Sequence, residues 1–280
     1  MNLNKLARKI GVYALLCAFG ATGVAWAQKK TEAEISAEFA KFRKQMEQDN
    51  PAELFELQGE EIWKTKRGPK NVSLQESCDL GKGVGNIEGA YVEMPRYFAD
   101  AKAVMDTERR IVWCMVEKQG FDYKSISKKP FASKNSDKTP DITNLVMYVA
   151  GGSRDMKFNV NLEDEHVKEI YEVGKEIIKF RAGPYDFACT TCHGADNLRI
   201  RMQSLPNITK SAGAIRSRMG WPAYRMSGGI PLTLQWRLRS CFRQQRFPFP
   251  TYASDLLTSV LTYMTANANG AIYSGPGIKR

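Results

Sequence analysis

The chain contains 280 residues, with 41 lysines and arginines against 30 aspartates and glutamates, and carries a formal net charge of +11. Apolar residues make up 43% and charged residues 25%, which is typical of a globular protein and excludes a disordered, collagen-like or coiled-coil chain. The length accommodates one large domain or two modest ones, and it excludes a disulfide-stabilised miniprotein.

The first 27 residues have the pattern of a cleavable signal peptide. A basic start is followed by an uncharged apolar stretch at 10–24 and by the small-x-small sequence Ala25-Trp26-Ala27. The short apolar stretch disfavours the alternative, an uncleaved membrane anchor. Cleavage removes three positive charges and Cys17, which lowers the net charge to +8 and leaves five cysteines. We therefore expect export to an oxidising compartment, and because five is odd, one cysteine needs a role other than pairing.

The remaining chain is dominated by helical patterns. Residues 28–57 are polar and helix-prone, which predicts a surface helix. Residues 125–140 are rich in lysine and serine and predict an exposed loop, and residues 266–280 are rich in glycine and asparagine and predict a frayed terminus. Because sustained apolar–polar alternation is scarce, we expect a mainly α fold.

An internal repeat divides the chain into two related halves. Residues 59–69 match residues 174–184 at six of eleven positions, at an offset of 115. A second block matches at an offset of 127, pairing Pro95, Tyr97, Arg110 and Cys114 with Pro222, Tyr224, Arg237 and Cys241. The alternative to a true repeat is chance similarity between amphipathic helices. The shared Gly-Pro and Arg-x-x-x-Cys sequences disfavour it. After the signal peptide at 1–27, we predict two tandem domains at 28–155 and 156–280.

The sequence Cys189-Thr190-Thr191-Cys192-His193 is the C-x-x-C-H motif of covalent haem attachment. Two thiols at this spacing can each add to a haem vinyl group, and the adjacent His193 supplies an axial nitrogen to the iron. A redox dithiol would not need His193. A zinc site would need further ligands, and the only other histidine in the sequence is His166, which we expect at the surface. We expect one covalently attached haem c, held by Cys189 and Cys192, in the C-terminal domain only.

The second axial ligand is an open choice. Cys241 is the odd cysteine and lies 48 residues beyond His193, far enough for the chain to reach the other face of a haem. Thiolate ligation would give an electron-rich iron, and we favour it over a buried free thiol. The alternative is an ordinary methionine ligand, for which the candidates are Met202, Met219, Met226 and Met264.

Arginines surround Cys241 in the sequence. Arg237 lies four residues before Cys241 and shares its face if this segment is helical. An arginine beside a cysteine stabilises a thiolate and can bind an oxyanion, so we assign Arg237 to the site. A second group consists of Arg239, Arg243 and Arg246. These arginines could form a solvated surface, contact haem propionates or bind substrate, and the sequence leaves this choice open.

The first half lacks a C-x-x-C-H motif. At the equivalent place it has Gln75-Glu76-Ser77-Cys78-Asp79, with one cysteine and no histidine. Cys78 and Cys114 are then left as a pair, and two free thiols are disfavoured in an exported protein. We predict a disulfide between them that stabilises the fold by about 2–4 kcal/mol.

Taken together, these residues resemble the SoxA family, the catalytic subunits of the SoxAX cytochromes of bacterial thiosulfate oxidation. The resemblance is carried by the sequence 189–193, by Trp236-Arg237-x-x-x-Cys241 and by the duplicated cytochrome c architecture. Some members of the family have a haem in both domains. Because Cys78 departs from that pattern, this sequence resembles the single-haem type with a disulfide in the N-terminal domain.

The resemblance implies an L-cysteine S-thiosulfotransferase of the periplasm. Such an enzyme oxidatively joins thiosulfate to a cysteine of the carrier SoxYZ, and two electrons leave through the haem of SoxX, a small partner cytochrome in a heterodimer. It implies Cys241 as the catalytic thiolate or persulfide and as the axial iron ligand opposite His193, and Arg237 as the substrate-binding residue. The basic surface would attract anionic substrates or acidic partners, since export and the lack of a nucleic-acid motif disfavour nucleic acid.

Two other functions are compatible with the same residues. An electron-transfer cytochrome c with His/Met ligation would not need Cys241. A carrier-independent thiosulfate dehydrogenase, which joins two thiosulfates into tetrathionate, would share His/Cys ligation but would need no carrier protein.

Overall fold

The structure, a computed structural model, describes Glu38, Lys41, Gln45 and residues 49–126, 140–200 and 203–279. The chain divides into two compact units, Met1–Gln45 and Met46–Arg280. In the first unit, the three described residues are helical and exposed. The predicted signal peptide, Met202 and most of the predicted loop at 125–140 lie outside the described residues. In the described part of the chain, no helix combines the length and the apolar character needed to cross a membrane.

The second unit is mainly helical, which confirms the predicted class. Its described residues form the α-helices α1 (Ala52–Lys64), α2 (Leu74–Ser77), α3 (Thr107–Trp113), α4 (Tyr123–Ile126), α5 (Asp141–Gly151), α6 (Glu165–Ile177), α7 (Cys189–His193), α8 (Ser211–Arg218), α9 (Leu234–Gln244) and α10 (Asp255–Ala266). A π-helical turn at Cys114–Lys118 continues α3, and a 3₁₀ turn covers Tyr91–Glu93. The strands are β1 (Arg96–Phe98), β2 (Ala103–Met105), β3 (Arg199–Ile200), β4 (Gln203–Ser204), β5 (Ala223–Arg225), β6 (Ile230–Leu232) and β7 (Gly277–Lys279).

Helix α1 begins later than the sequence predicted. The predicted surface helix over 28–57 is wrong as a continuous element, because Asp49, Asn50 and Pro51 are not helical. The Asn50 side chain instead accepts a hydrogen bond from the Ala52 amide at 3.0 Å and so satisfies an amide of the first turn. The new helix therefore starts at Ala52.

The repeat at an offset of 115 recurs as two matching helix pairs. Helix α1 packs on α5, and α6 packs on α10. A Cβ added to Gly59 would lie 2.0 Å from the carbonyl oxygen of Asn144, and one added to Gly174 would lie 2.0 Å from that of Ser259. Asn144 and Ser259 are themselves 115 residues apart. In both pairs, glycine is required because the helix backbones approach too closely for any side chain.

The repeat at an offset of 127 recurs as a hairpin followed by a helix. Strands β1 and β2 are antiparallel and precede α3, and β5 and β6 are antiparallel and precede α9. Asp106 caps the N-terminus of α3, and Thr233 caps α9 at the equivalent position. The two blocks thus place Cys114 and Cys241 at matching points. The division into domains at 155/156 stays a prediction.

The C-terminal segment forms a strand, so the predicted fraying of residues 266–280 is wrong. Strand β7 pairs in parallel with β5, with Gly277 opposite Ala223 and Lys279 opposite Arg225. The Met226 amide donates to the Lys279 carbonyl at 3.0 Å. Strand β5 is therefore held on both sides, between β6 and β7.

The two halves meet through a buried polar cluster at the N-termini of α3 and α9. Gln235 donates to both carboxylate oxygens of Asp106 at 2.9 Å, and Thr258 donates to the same group at 2.8 Å. Glu108 hydrogen-bonds with Thr233 in this cluster, while one of its oxygens has no hydrogen-bond partner. Burial, followed by the charge of Asp106, raises the pKa of Glu108 well above its ordinary value, which favours the neutral form of this carboxyl.

Candidate functional site

Helix α7 carries the C-x-x-C-H sequence on a short, anchored turn. The Thr191 hydroxyl accepts a hydrogen bond from the Ala188 amide at 2.9 Å, which fixes the start of the helix. The Thr190 amide donates to the Ile178 carbonyl at 3.0 Å and ties α7 to the end of α6. Within the helix, Cys189 and Cys192 are three residues apart and lie on one face. The local geometry therefore presents two thiols side by side.

The His193 ring is oriented by a backbone carbonyl. Its Nδ1 lies 2.8 Å from the carbonyl oxygen of Pro206, and because a carbonyl only accepts, Nδ1 is the protonated nitrogen. Nε2 is then left with a lone pair that can bind a metal. Burial lowers the pKa of His193, the hydrogen bond to Pro206 opposes this, and the charge of Arg237 lowers the pKa further. The neutral imidazole is the form that ligates iron.

Cys241 lies on α9, close to the haem motif. Burial raises the pKa of the Cys241 thiol, the positive charge of Arg237 opposes the rise, and Cys192 adds to it. Burial, and then the neighbouring Cys241, raise the pKa of Cys189 to about 11. These mutual electrostatic effects indicate that Cys189, Cys192 and Cys241 lie in one neighbourhood. All three are free thiols.

Arg237 is one helical turn from Cys241 and acts electrostatically on both Cys241 and His193. Within the described ranges, no side chain or carbonyl accepts a hydrogen bond from its guanidinium, and no carboxylate forms an ion pair with it. The group is partly buried. A partly buried cation without a protein counter-ion is suited to binding an anion.

The other arginines of α9 have different surroundings. Arg239 donates to the Pro250 carbonyl at 2.7 Å and stacks on the rings of Phe249 and Tyr252 at 4.1 and 3.8 Å. It therefore packs the segment that follows α9. Arg243 and Arg246 are exposed, and Arg246 lies 5.4 Å from the ring of Tyr185.

The methionine candidates lie in contrasting places. Met264 is 5% exposed and belongs to the apolar cluster against which Cys189 packs. Met226 is exposed in the β5–β6 hairpin, and the backbone of Met219 accepts hydrogen bonds from Ser274. His166, as expected, is exposed, and its ring stacks on Tyr97 at 3.9 Å.

The first half has a disulfide at the equivalent place. Cys78 and Cys114 are bonded, which confirms the predicted pair, and both are fully buried. Arg110, the counterpart of Arg237, is 2% exposed and forms a two-point ion pair with Asp100 at 2.8 and 2.9 Å. The arginine that is unpaired in the second half is therefore neutralised in the first.

Sequence reasoning missed two features of the site. The first is the Pro206 carbonyl that orients His193, for which the sequence offers no signal. The second is Arg225 on β5, whose pKa is lowered by burial and then by the charge of Arg237. The repeat at an offset of 127 could have drawn attention to Arg225, because it replaces the apolar Phe98.

The residues present fit a covalently attached haem. The site offers two adjacent free thiols, an oriented imidazole and a third free thiol in the same neighbourhood. No group of three or more His, Cys, Asp or Glu side chains in the described segments is arranged to hold a bare metal ion. The donor set thus suits an iron held by a macrocycle and two axial ligands.

Comparison with known proteins identifies a family of cytochromes c. The family model of the SoxA/TsdA cytochrome c domain matches residues 58–158. The chain is 42% identical over 275 residues to the L-cysteine S-thiosulfotransferase subunit SoxA of Hydrogenophilus thermoluteolus, covering 98% of this chain and 99% of the relative. It is 31% identical to the subunit of the same name from Hydrogenobacter thermophilus, covering 82% of each.

A solved structure has a similar fold. The crystal structure of SoxXA from P. pantotrophus aligns with a TM-score of 0.68 at 22% sequence identity, covering 86% of this chain and 84% of that chain.

Proposed function

The chain belongs to the SoxA family of L-cysteine S-thiosulfotransferase subunits, which are cytochromes c of sulfur oxidation, and we propose that its second half contains the reaction site. In this proposal residues 156–280 form the haem-binding domain. Residues 28–155 form a related domain without haem, in which the disulfide replaces the ligand pair. The observation that carries the proposal is the convergence of Cys189, Cys192, His193, Arg237 and Cys241.

Haem attachment is assigned to α7. One haem c would be held through thioethers to Cys189 and Cys192, and His193 and Cys241 would be the two protein ligands of its iron. The carbonyl of Pro206 supports this assignment, since it fixes the protonated nitrogen and leaves Nε2 for the iron. When bound, the haem supplies a one-electron acceptor beside the reactive sulfur.

The reaction joins two sulfur atoms by oxidation. The sulfane sulfur of thiosulfate forms a bond with the sulfur of a carrier cysteine, which yields an S-thiosulfonate, one proton and two electrons. Cys241 is the reactive thiolate or persulfide. Burial raises the pKa of its thiol and the charge of Arg237 opposes that rise, so a cationic neighbour stabilises the thiolate. Arg237 has the charge and the position to supply that stabilisation and to bind the sulfonate oxygens.

The proposal includes two protein partners and a compartment. A SoxX-like small cytochrome c forms a heterodimer with this chain and accepts the two electrons, in keeping with the similarity to the SoxXA structure. A SoxYZ-like carrier presents its cysteine to the site. We place the protein in the periplasm, which is supported by the signal-peptide pattern and by the disulfide.

A reconstituted assay tests the function. Purified holoprotein is mixed with the partner cytochrome, thiosulfate, an oxidised acceptor cytochrome and a SoxYZ carrier, and the carrier is analysed by mass spectrometry. We expect one thiosulfate added to the carrier cysteine and two electrons delivered per addition. The Cys241→Ser variant is expected to give no addition. Tetrathionate formed without carrier would instead indicate a thiosulfate dehydrogenase, and full electron transfer by Cys241→Ser would indicate an electron carrier.

A further inference from the structure

Arg225 lies on the strand that borders the reaction site. It is the last residue of β5, which is fixed between β6 and β7. Ala223, two residues earlier, is fully buried in the apolar cluster against which Cys189 packs. Because alternate residues of a strand point to the same face, Arg225 is directed to the side of the sheet on which the haem motif lies.

The repeat relates Arg225 and Arg237 to a contacting pair in the first half. Its counterpart in the first half is Phe98, whose ring centroid lies 4.0 Å from the guanidinium carbon of Arg110. Strand β5 and helix α9 are connected in the same way as β1 and α3, so the repeat predicts that Arg225 lies beside Arg237, as Phe98 lies beside Arg110. The electrostatic effect of Arg237 on Arg225 agrees with this placement.

Asp100, which neutralises Arg110 in the first half, has no acidic counterpart in the second half. Asp100, in the β1–β2 hairpin, pairs with Arg110, and the matching position in the β5–β6 hairpin is Ser227. Neither Arg225 nor Arg237 forms an ion pair or side-chain hydrogen bond with any residue that the structure describes. Two partly buried cations with no counter-charge are costly unless an anion joins them.

We propose that Arg225 is a second anion-binding residue of the site and that it holds a divalent sulfur oxyanion jointly with Arg237. Two guanidinium groups match the two charges and the several oxygens of a thiosulfate dianion. This inference rests on the proposed function, because it uses the same site. It adds Arg225 to the residues that bind the substrate, and it explains why the site would bind a dianion in preference to a monoanion.

Calorimetric titration of the oxidised holoprotein with thiosulfate tests the inference. The Arg225→Gln variant is expected to bind thiosulfate about tenfold more weakly or worse, since a charge-assisted hydrogen bond is lost. Arg225→Lys, which retains the charge but not the planar fork, is expected to recover part of the affinity. Arg199→Gln removes a charge from an exposed strand residue and serves as the matched control, with unchanged binding expected.

Kinetics supply a second readout. The KM for thiosulfate is expected to rise in Arg225→Gln in proportion to the loss of affinity, while the haem absorption spectrum and the thermal midpoint stay those of the wild type. Wild-type affinity in Arg225→Gln would overturn the inference, and so would a failure of the wild type to bind thiosulfate. A different result would contradict the proposed function but not the role of Arg225: the wild type binds thiosulfate but adds none to the carrier.

Discussion

Cys78 is bonded to Cys114 across a Cα–Cα distance of 5.5 Å, and the two residues occupy the repeat positions of His193 and Cys241. The counterpart of residues 189–193 is therefore 74–78, one residue earlier than the sequence comparison placed it. The offsets are 115 for the first position and 127 for the second. The same two points of the fold are joined by a disulfide in the first half, and in our proposal the two residues at these points in the second half would hold the haem iron.

Replacing Cys241 by methionine is expected to change the iron ligation without preventing haem attachment. The attachment thiols are on α7, whereas Cys241 is contributed by α9. Low-temperature EPR of the oxidised wild type should show a low-spin His/thiolate signal that the variant lacks. Met264→Leu is the control for the alternative ligand. A wild-type signal in Cys241→Met together with a changed signal in Met264→Leu would assign the ligand to Met264.

Removing the disulfide is expected to destabilise the first half without affecting the haem. The Cys78→Ala/Cys114→Ala double variant should lose about 2–4 kcal/mol in the free energy of unfolding, since the bond closes a long loop. Denaturant titration measures the loss. Adding a reductant should destabilise the wild type by a similar amount and leave the double variant unchanged. An altered haem spectrum in the variant would contradict the separation of the two sites.

Glu108→Gln is expected to stabilise the protein at pH 7 and not at pH 4. The pKa of Glu108 is raised in the folded state, so the folded protein retains a proton that the unfolded chain releases above about pH 4.5. The free energy of unfolding therefore falls as the pH rises through that value. Glutamine is the residue at the equivalent position 235. Because glutamine does not titrate, Glu108→Gln removes this fall and should raise the free energy of unfolding by more than about 1 kcal/mol at pH 7.

Thermal and denaturant unfolding at the two pH values measure the effect of Glu108→Gln. Glu88→Gln, at an exposed glutamate, is the matched control and should stay within about 0.5 kcal/mol of the wild type at both. An equal stabilisation at pH 4 and pH 7 would exclude titration of Glu108 as the cause.

Gly174→Ala is expected to destabilise the protein by about 1–3 kcal/mol or more, because the added methyl group would overlap the Ser259 carbonyl on α10. Gly59→Ala should have a comparable effect through Asn144. Gly228→Ala is the control, since the nearest atom to its added Cβ would be a side-chain carbon of Ile230 at an ordinary 3.6 Å. Equal stability of Gly174→Ala and Gly228→Ala would show that α6 and α10 are less closely packed than described.

The sequence by itself was enough for the features that depend on local spacing or on counting. A haem-attachment motif is contained in one helical turn, so residues 189–193 could be recognised without a fold. Once Cys189, Cys192 and Cys241 were assigned to the haem site, Cys78 and Cys114 were left as a pair. The offsets of 115 and 127 revealed the repeat. The mainly helical class also followed from periodicity.

Tertiary structure decided the features that depend on contacts between distant segments. The frayed terminus was a wrong prediction because β7 gains its order from pairing with β5, some 50 residues away, rather than from its own composition. The orientation of His193 by Pro206 and the electrostatic effect of Arg237 on Arg225 likewise depend on how the chain returns to the site. Such contacts are set by packing and by the burial of charge, which composition and periodicity do not record.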